Sequence, residues 1–419
     1  MKLLESKAKF RKVHSNINPY FFFVITFLIT VVLYSFDFSE FNVPLGAKVI
    51  SFLIIAMALN FILYLLFRKR WSEAAVNAQK NNGGQSVNTY TLWAIVFLGL
   101  GIADVLYSHG MPLLGQVNYK EYGFPTLHVL MVVCDSFLLL SIAKTYFLTN
   151  VRRVQLLFTA AIALLPLVFG LSRGTIVILL LSILMIFLLT FQKKITIKLA
   201  LIIGLLLAFG LYLFGITGNY RMNHDYGRVE NLTESSLILS IGKANNKFTS
   251  SGIPKPFYWT YIYATSPIAN FRYNTEVSNP QVNTANVSEF LVTNFLPDFI
   301  SKRVFPTYED DYRAWLMTNE FTVTTAFTLP YTFLGWMGVY IFLIYSLVFP
   351  IVYLELIRKF SPGYFDLALV LLSTIYILMP FSNFFSFSAL SMQLFLPFIC
   401  SLFSRRRDAK RNYEREETD

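Results

Sequence analysis

The chain has 419 residues, 55% of them hydrophobic and 14% charged, and a formal net charge of +11. Soluble domains carry about 25% charged residues, so an ordinary soluble enzyme is excluded and a membrane protein is indicated. The two cysteines, Cys134 and Cys400, both lie in apolar runs, so no disulfide is expected and they leave the redox compartment unread.

Residues 1–18 are polar and basic (Lys2, Lys7, Lys9, Arg11, Lys12). The apolar run at 20–36 has no small-residue cleavage site after it, so it reads as a retained anchor, not a signal peptide. Further apolar runs follow at 45–67, 90–106, 125–148, 154–171, 175–191 and 195–216, then at 331–354, 365–380 and 384–403. A span needs roughly 17–25 residues. The expectation is therefore an all-α polytopic membrane protein with about ten transmembrane helices. A seven-span bundle (1–216) precedes one large polar loop (217–329), a three-span bundle (330–403) and a polar tail (404–419). Residues 77–88 read as a polar linker. No internal repeat is visible, and the spans do not form two matching halves with paired broken helices, which weakens an inverted-repeat transporter.

Short loops set the orientation. One set holds the N-terminus, Arg68-Lys69-Arg70, Arg152-Arg153, Lys193-Lys194 with Lys198, Arg358-Lys359 and Arg405-Arg406-Arg407; the other holds only Lys48, Lys120 and Arg173. The positive-inside rule assigns the first set to the cytoplasm. Both termini are then inside, and the large loop and the turn Leu171-Ser172-Arg173-Gly174 outside. The net positive charge thus reflects orientation in the bilayer, and no nucleic-acid partner is expected.

There is no Walker-type loop, dinucleotide fingerprint or zinc-ligand spacing, and His14, His109, His128 and His224 are scattered. No cofactor and no bound metal are expected. A reaction on the outer face has no ATP supply, so its substrate must arrive activated, and a polyprenyl-pyrophosphate carrier in the membrane is the usual form. Six arginines, Arg173, Arg221, Arg228, Arg272, Arg303 and Arg313, fall on the face where positive charge is least expected. Ser172 can cap the helix that Arg173 opens, and Gly174 lets the backbone turn closely. A helix N-terminus beside a guanidinium is an anion site; the alternative is an arginine snorkelling to lipid headgroups. Arg303 and Arg313 flank Glu309-Asp310-Asp311, where loop salt bridges compete with substrate contact and solvated carboxylates with a divalent site.

His224 and Asp225 follow Arg221 by three and four residues and are candidates for a general base or a surface pair, with Glu320 and Asp135 next in line. Five aromatics crowd into 257–263, among them Tyr258, Trp259, Tyr261 and Tyr263. They suit an amphipathic element lying on the membrane or a platform for sugar rings. Asp135 and His128 are seven apart on one expected span and share a face. An unpaired aspartate at mid-membrane costs roughly 2.5–3.5 kcal/mol, so Asp135 should face the bundle, as a polar helix contact or a cavity lining. Lys144 is expected to snorkel to the cytoplasmic end.

The whole chain resembles the Wzy-type polymerases of O-antigen and capsule repeat units. Leu171-Ser172-Arg173-Gly174 resembles their Ser-Arg-Gly turn, and Gly218-Asn219-Tyr220-Arg221 the arginine-bearing start of their large outer loop. Residues 261–270, with Ser266-Pro267 and Ala269-Asn270, resemble a tyrosine-rich segment ending in a small residue and Asn. Thr324-Thr325-Ala326-Phe327, Tyr331 and Gly335 resemble the lead into the next span, although Thr332-Phe333-Leu334-Gly335 stands where the family often carries Asp-Phe-Gly. The resemblance implies a GT-C-like multi-span glycosyltransferase in a bacterial cytoplasmic membrane. It would move a growing glycan from one undecaprenyl pyrophosphate onto the sugar of another lipid-linked repeat unit, with a chain-length regulator protein as a further partner. Arg173 and Arg221 would bind pyrophosphate, Arg228 and Arg272 would support them, and His224 or Asp225 would act as base. Two carriers need two cationic sites. Arg173, Arg221 and Arg228 are grouped for the donor; Arg272, Arg303 and Arg313, in the mobile middle of the loop, for the acceptor. An O-antigen ligase with the same donor, or a polysaccharide transporter or flippase, is the rival expectation.

Overall fold

The computed structural model describes residues 17–80, 86–119, 121–191, 197–229, 231–305 and 314–403. Most of these residues are helical, and the only extended pairing among them is an isolated bridge between Ser39 and Ala244. The helices in chain order are α1 (Pro19–Ser35), α2 (Gly46–Lys80), α3 (Val87–Tyr107), α4 (Leu127–Leu148), α5 (Arg153–Phe169), α6 (Arg173–Thr190) and α7 (Ile197–Asp225). Then come α8 (Ser236–Ile241), α9 (Asn246–Thr249), α10 (Phe257–Val277), α11 (Thr284–Phe295), α12 (Asp298–Val304), α13 (Thr328–Phe360), α14 (Phe365–Leu378) and α15 (Ser388–Phe403).

Five of them, α2, α3, α4, α7 and α13, are long and apolar enough to cross a membrane; α1, α5, α6, α14 and α15 are shorter apolar helices. Together these ten correspond one to one with the apolar runs of the sequence. The shorter ones are still substantial: the 17 residues of α1 span about 25 Å at 1.5 Å per residue. Its start is fixed by Asn18, whose side chain accepts the Tyr20 N–H at 3.0 Å, and by Pro19 in the first turn, where its missing N–H costs nothing. The helix α13 bends at Gly335, which has φ +62°; Pro280 packs 3.2 Å from the position a Cβ would take there.

The centre of the bundle is α14. Every residue from Phe365 to Tyr376 is buried, wrapped by α1, α2, α6 and α13. Phe23, Phe27, Phe52, Phe327 and Phe342 fill the adjoining core with edge-on and tilted ring contacts. The helices α3 to α6 form the flank, with α3 on α5 and α4 on α6. Lys144 does not snorkel. Its ammonium lies 2.8 Å from Asp366 Oδ1 and donates to the Gly363 carbonyl at 3.0 Å, both side chains being almost fully buried. A lysine ringed by protein has no path to the headgroups, so it takes a buried counter-charge instead. Asp135 does face the bundle interior, fully buried, with neither carboxylate oxygen hydrogen-bonded.

Segments 36–45, 108–119, 121–126, 170–172, 226–229, 231–305, 314–327 and 379–387 gather at one end of the bundle. Asn245 N–H donates to the Phe38 carbonyl at 3.1 Å, Ala326 N–H to the Met379 carbonyl at 2.9 Å, and Asn383 Nδ2 to the Asn294 carbonyl at 2.9 Å. Arg70 and Arg358, both on Glu355, lie at the other end.

The described residues of 217–329 form a folded assembly of packed helices. The helix α7 continues to Asp225, so Arg221, His224 and Asp225 sit on its last turns. The aromatic stretch forms α10, which packs on α1, α7 and α13 instead of lying on a membrane surface. A second core, with Met222, Ile238, Phe248, Tyr258, Trp259, Ile262 and Phe321, holds the assembly together. The linker expected at 77–88 is helical up to Lys80. Arg313, the run Glu309-Asp310-Asp311, the basic N-terminus, Lys193-Lys194 and the tail 404–419 lie outside the described residues.

Candidate functional site

The assembly's anchor is the contact of α7 with the start of α10. A Cβ on Gly215 would lie 2.1 Å from the Pro256 carbonyl oxygen, and one on Gly218 2.7 Å from the Trp259 indole. The two glycines, three apart, clear one face of α7 for the other helix. Between them and Arg221 sits Asn219, 3% exposed. Its carbonyl accepts the Trp259 indole N–H at 2.6 Å, and its amide donates to Ser235 Oγ at 2.6 Å and the Leu232 carbonyl at 2.5 Å.

Two further asparagines, on α10, fasten an irregular segment over this contact. Asn270 donates to the carbonyls of Phe321 and Val323 at 2.8 and 3.0 Å and accepts from Met317 N–H at 3.0 Å. Asn274 donates to the Trp315 carbonyl at 2.7 Å and accepts its N–H at 2.9 Å. Side-chain amides mimic a strand partner here, satisfying backbone that has no secondary structure of its own. They set Glu320 and Phe321 beside the last turns of α7.

The result is a cleft of about 280 Å³ lined by Arg221, Met222, Asp225, Tyr226, Trp259, Tyr263, Glu320 and Phe321. Arg221 and Asp225, four apart, share a helix face. Trp259 and Tyr263 have ring centroids 5.6 Å apart. The Tyr226 hydroxyl donates to Glu320 Oε1 at 2.5 Å. That bond holds the Glu320 carboxyl below its ordinary pKa and pushes the Tyr226 phenol up, so Glu320 is an ionised acceptor and a weakened base. A guanidinium that can fork onto a phosphate, two carboxylates and an aromatic floor thus meet in one opening.

The other sequence-nominated residues disperse. His224 is 79% exposed on its side chain, with Nδ1 3.8 Å from Asp225 Oδ1, and is absent from the cleft lining. Arg228 lies past the end of α7, after Gly227 at φ +61°. Tyr258 and Tyr261 are core residues: Tyr258 donates to the Gly242 carbonyl at 2.5 Å, and Tyr261 Oη accepts from Phe38 N–H at 2.9 Å and from Asn42. Burial pushes the Tyr261 phenol up to about 12. A glycan platform of four rings is therefore reduced to Tyr263, which is half-buried, because the helix turns Tyr258, Trp259 and Tyr261 inward.

Arg272 is held by Glu276 at 2.5 Å and by the Pro44 carbonyl at 3.2 Å, away from the cleft lining. Arg303 donates to Thr126 Oγ1 at 2.8 Å and stacks over Phe299. It therefore belongs to the end of α4, not to a set with Arg272. Arg173 opens α6, which packs on α4, α14 and the start of α15, whereas Arg221 rides on α7, packed on α8 and α10. The two donor arginines thus sit on helices with different neighbours. Ser172 makes no side-chain capping bond, and the left-handed residue of that turn is Leu171 at φ +49°, not Gly174.

Sequence reasoning missed Tyr226 and the asparagine hooks Asn219 and Asn274. A polar residue at a helix position otherwise apolar was the available signal. Among the described residues no three His, Cys, Asp or Glu side chains converge on a point that could hold a metal ion.

No family model, curated protein or solved structure matches the chain.

Proposed function

We propose that the protein is a lipid-linked oligosaccharide polymerase, acting on undecaprenyl-pyrophosphate-linked repeat units at the outer face of a bacterial cytoplasmic membrane. In this reading all ten apolar helices cross the bilayer in a GT-C-like arrangement, both termini are cytoplasmic, and the gathered loops lie outside. The observation that carries it is the cleft at the head of α7, which Arg221 lines together with Asp225, Glu320 and Tyr263. This is the chemistry that recognises a sugar carrying a phosphate. The guanidinium offsets phosphate charge, the carboxylates accept sugar hydroxyls, and the Tyr263 ring offers a face to the sugar's C–H surface.

A glycosyl transfer from a pyrophosphate carrier breaks the bond from the anomeric carbon to phosphate oxygen. Its transition state has oxocarbenium character, with negative charge growing on the leaving group, and a preorganised arginine stabilises that charge without a metal. Two carriers must be bound with their phosphates apart. Arg221, with Arg228 at the same helix end, serves one. Arg173, at the head of α6, and Arg303, on α12 and bonded to Thr126 just before α4, serve the other. Arg272 is bound to Glu276 and keeps a structural role.

The test is glycan analysis of a strain lacking the gene and complemented with variants. The deletion should lose long chains while single repeat units still reach their final acceptor. Arg221→Ala should restore nothing and Arg221→Lys little, since lysine lacks the planar fork, at unchanged protein level. Loss of every capped species would identify a ligase instead, and unchanged glycans would end the reading.

A further inference from the structure

The cleft leaves one requirement open, the group that takes the acceptor's proton. Glu320 is a weakened base there, and among the described residues only Asp225, at 3.8 Å, stands beside His224 Nδ1. A better-built group lies at the heads of α3 and α4. His128 Nδ1 is 2.8 Å from Asp104 Oδ2, and Asp104 Oδ1 accepts the Phe124 N–H at 2.9 Å. The Asp104 side chain is 3% exposed and that of His128 20%. Tyr122 meets the imidazole edge-on at 5.4 Å, and Gly123, at φ +88°, leaves room for it, since a Cβ there would lie 2.6 Å from the ring.

A carboxylate only accepts, so it fixes the proton on Nδ1 and leaves Nε2 as the basic nitrogen. Nε2 has no hydrogen-bond partner among the described residues. The surroundings are costly to build: Thr126, a β-branched residue, is held at φ +74°, a strained conformation that persists only where neighbours enforce it. Arg303 donates to its hydroxyl. Tyr122 also reaches the turn before Arg173, lying 3.3 Å from the Cβ position of Gly170.

We propose that His128 is the general base of the transfer and Asp104 its positioning residue; this rests on the polymerase reading above. The acceptor hydroxyl passes its proton to Nε2 as its oxygen bonds to the anomeric carbon. The bond from that carbon to phosphate oxygen breaks, and its electron pair leaves with the pyrophosphate. Asp104 stays ionised and stabilises the imidazolium, which then releases its proton to water.

The experiment uses purified full-length protein in liposomes, with lipid-linked repeat units extracted from the deletion strain as both donor and acceptor. His128→Gln should lower kcat by roughly 10²–10⁴-fold with KM unchanged. Asp104→Asn separates a base from a mere staple between helices. Its carboxamide oxygen keeps the Phe124 N–H and its amide donates to Nδ1, so the pairing survives. The proton then moves to Nε2 and the base is lost, and kcat should fall by a similar factor at an unchanged unfolding temperature. Wild-type turnover combined with near-normal kcat in Asp104→Asn overturns the assignment of His128 and leaves the polymerase reading standing. Absence of turnover in the wild type overturns that reading, and this inference with it.

Discussion

Trp259 donates its indole N–H to Asn219 across 2.6 Å, and the Asn219 amide is spent on Leu232 and Ser235. One side chain thus ties α7, α10 and the connection to α8 at the floor of the cleft. Asn219→Ala leaves the buried indole N–H and the Leu232 carbonyl without partners, which costs about 1–3 kcal/mol for each buried group left unpaired. Asn219→Asp keeps an acceptor for Trp259 but turns an oxygen toward the Leu232 carbonyl, so it should be no more stable than the alanine variant. Thermal unfolding of the purified variants in detergent checks both; an Asn219→Asp variant as stable as the wild type would show that the bond to the Leu232 carbonyl contributes nothing to stability.

The Tyr226–Glu320 bond has a pH signature. Glu320's folded pKa is lowered, first by this bond. Its contribution to stability is therefore present above the ordinary carboxylate range and lost as pH falls through the lowered folded value. Tyr226→Phe should raise the Glu320 pKa back toward the ordinary value, by an amount that a carboxyl-carbon NMR titration reads directly. An unmoved titration would mean the bond does not persist in solution.

Lys144 and Asp366 are buried as a pair, so each single removal strands the other charge. Lys144→Met or Asp366→Leu alone should cost about 3–5 kcal/mol, and the double replacement far less. Chemical denaturation in mixed micelles gives the double-mutant cycle. Additive losses would mean that water reaches the site and screens the two charges from each other.

Topology is open to labelling. With Cys134 and Cys400 replaced by alanine, a cysteine at the exposed Ser250 should react with an impermeant maleimide in intact cells. One at the exposed Lys359 should react only after lysis. The opposite pattern would reverse the membrane orientation and every extracytoplasmic role proposed above.

The apolar helices were legible because a bilayer demands long apolar runs, and hydropathy reports them with little help from packing. The run expected at 125–148 is α4, and that at 175–191 is α6, within two residues at each end. The assembly at 217–329 was not legible. Twelve of the 21 residues of α10 are buried, on several sides at once, and a helix wrapped by partners carries no apolar stripe to mark it. The partners of charged residues were hidden for another reason. Lys144 and Asp366 are 222 residues apart, and no spacing rule links them. Depth was the usable clue: each is a charge near the basic end of an apolar run, just as Asp104 and His128 both lie near the other end. Pairing opposite charges by depth recovers both contacts. Arg221, Asp225, Trp259 and Tyr263 were named from sequence, but that the helix turns Tyr258 and Tyr261 into the core is a fact of its phase, which crowded aromatics conceal.

The helix α7 touches protein mainly at its head, against α8 and α10, while residues 201–210 are exposed along the entire stretch. If α7 crosses the bilayer as proposed, this midsection faces lipid and gains nothing from the bundle. Two consequences follow. Any apolar residue of good helix propensity should serve there, so this stretch is free to drift in sequence while its glycine-studded head is not. Its tilt is also set by the hydrocarbon thickness around it, because a spanning helix without neighbours answers only to hydrophobic mismatch. The cleft is mounted on that helix, so a thicker or thinner bilayer would tip Arg221 relative to the rest of the loop assembly. The host membrane's lipid composition becomes a variable of the site's geometry.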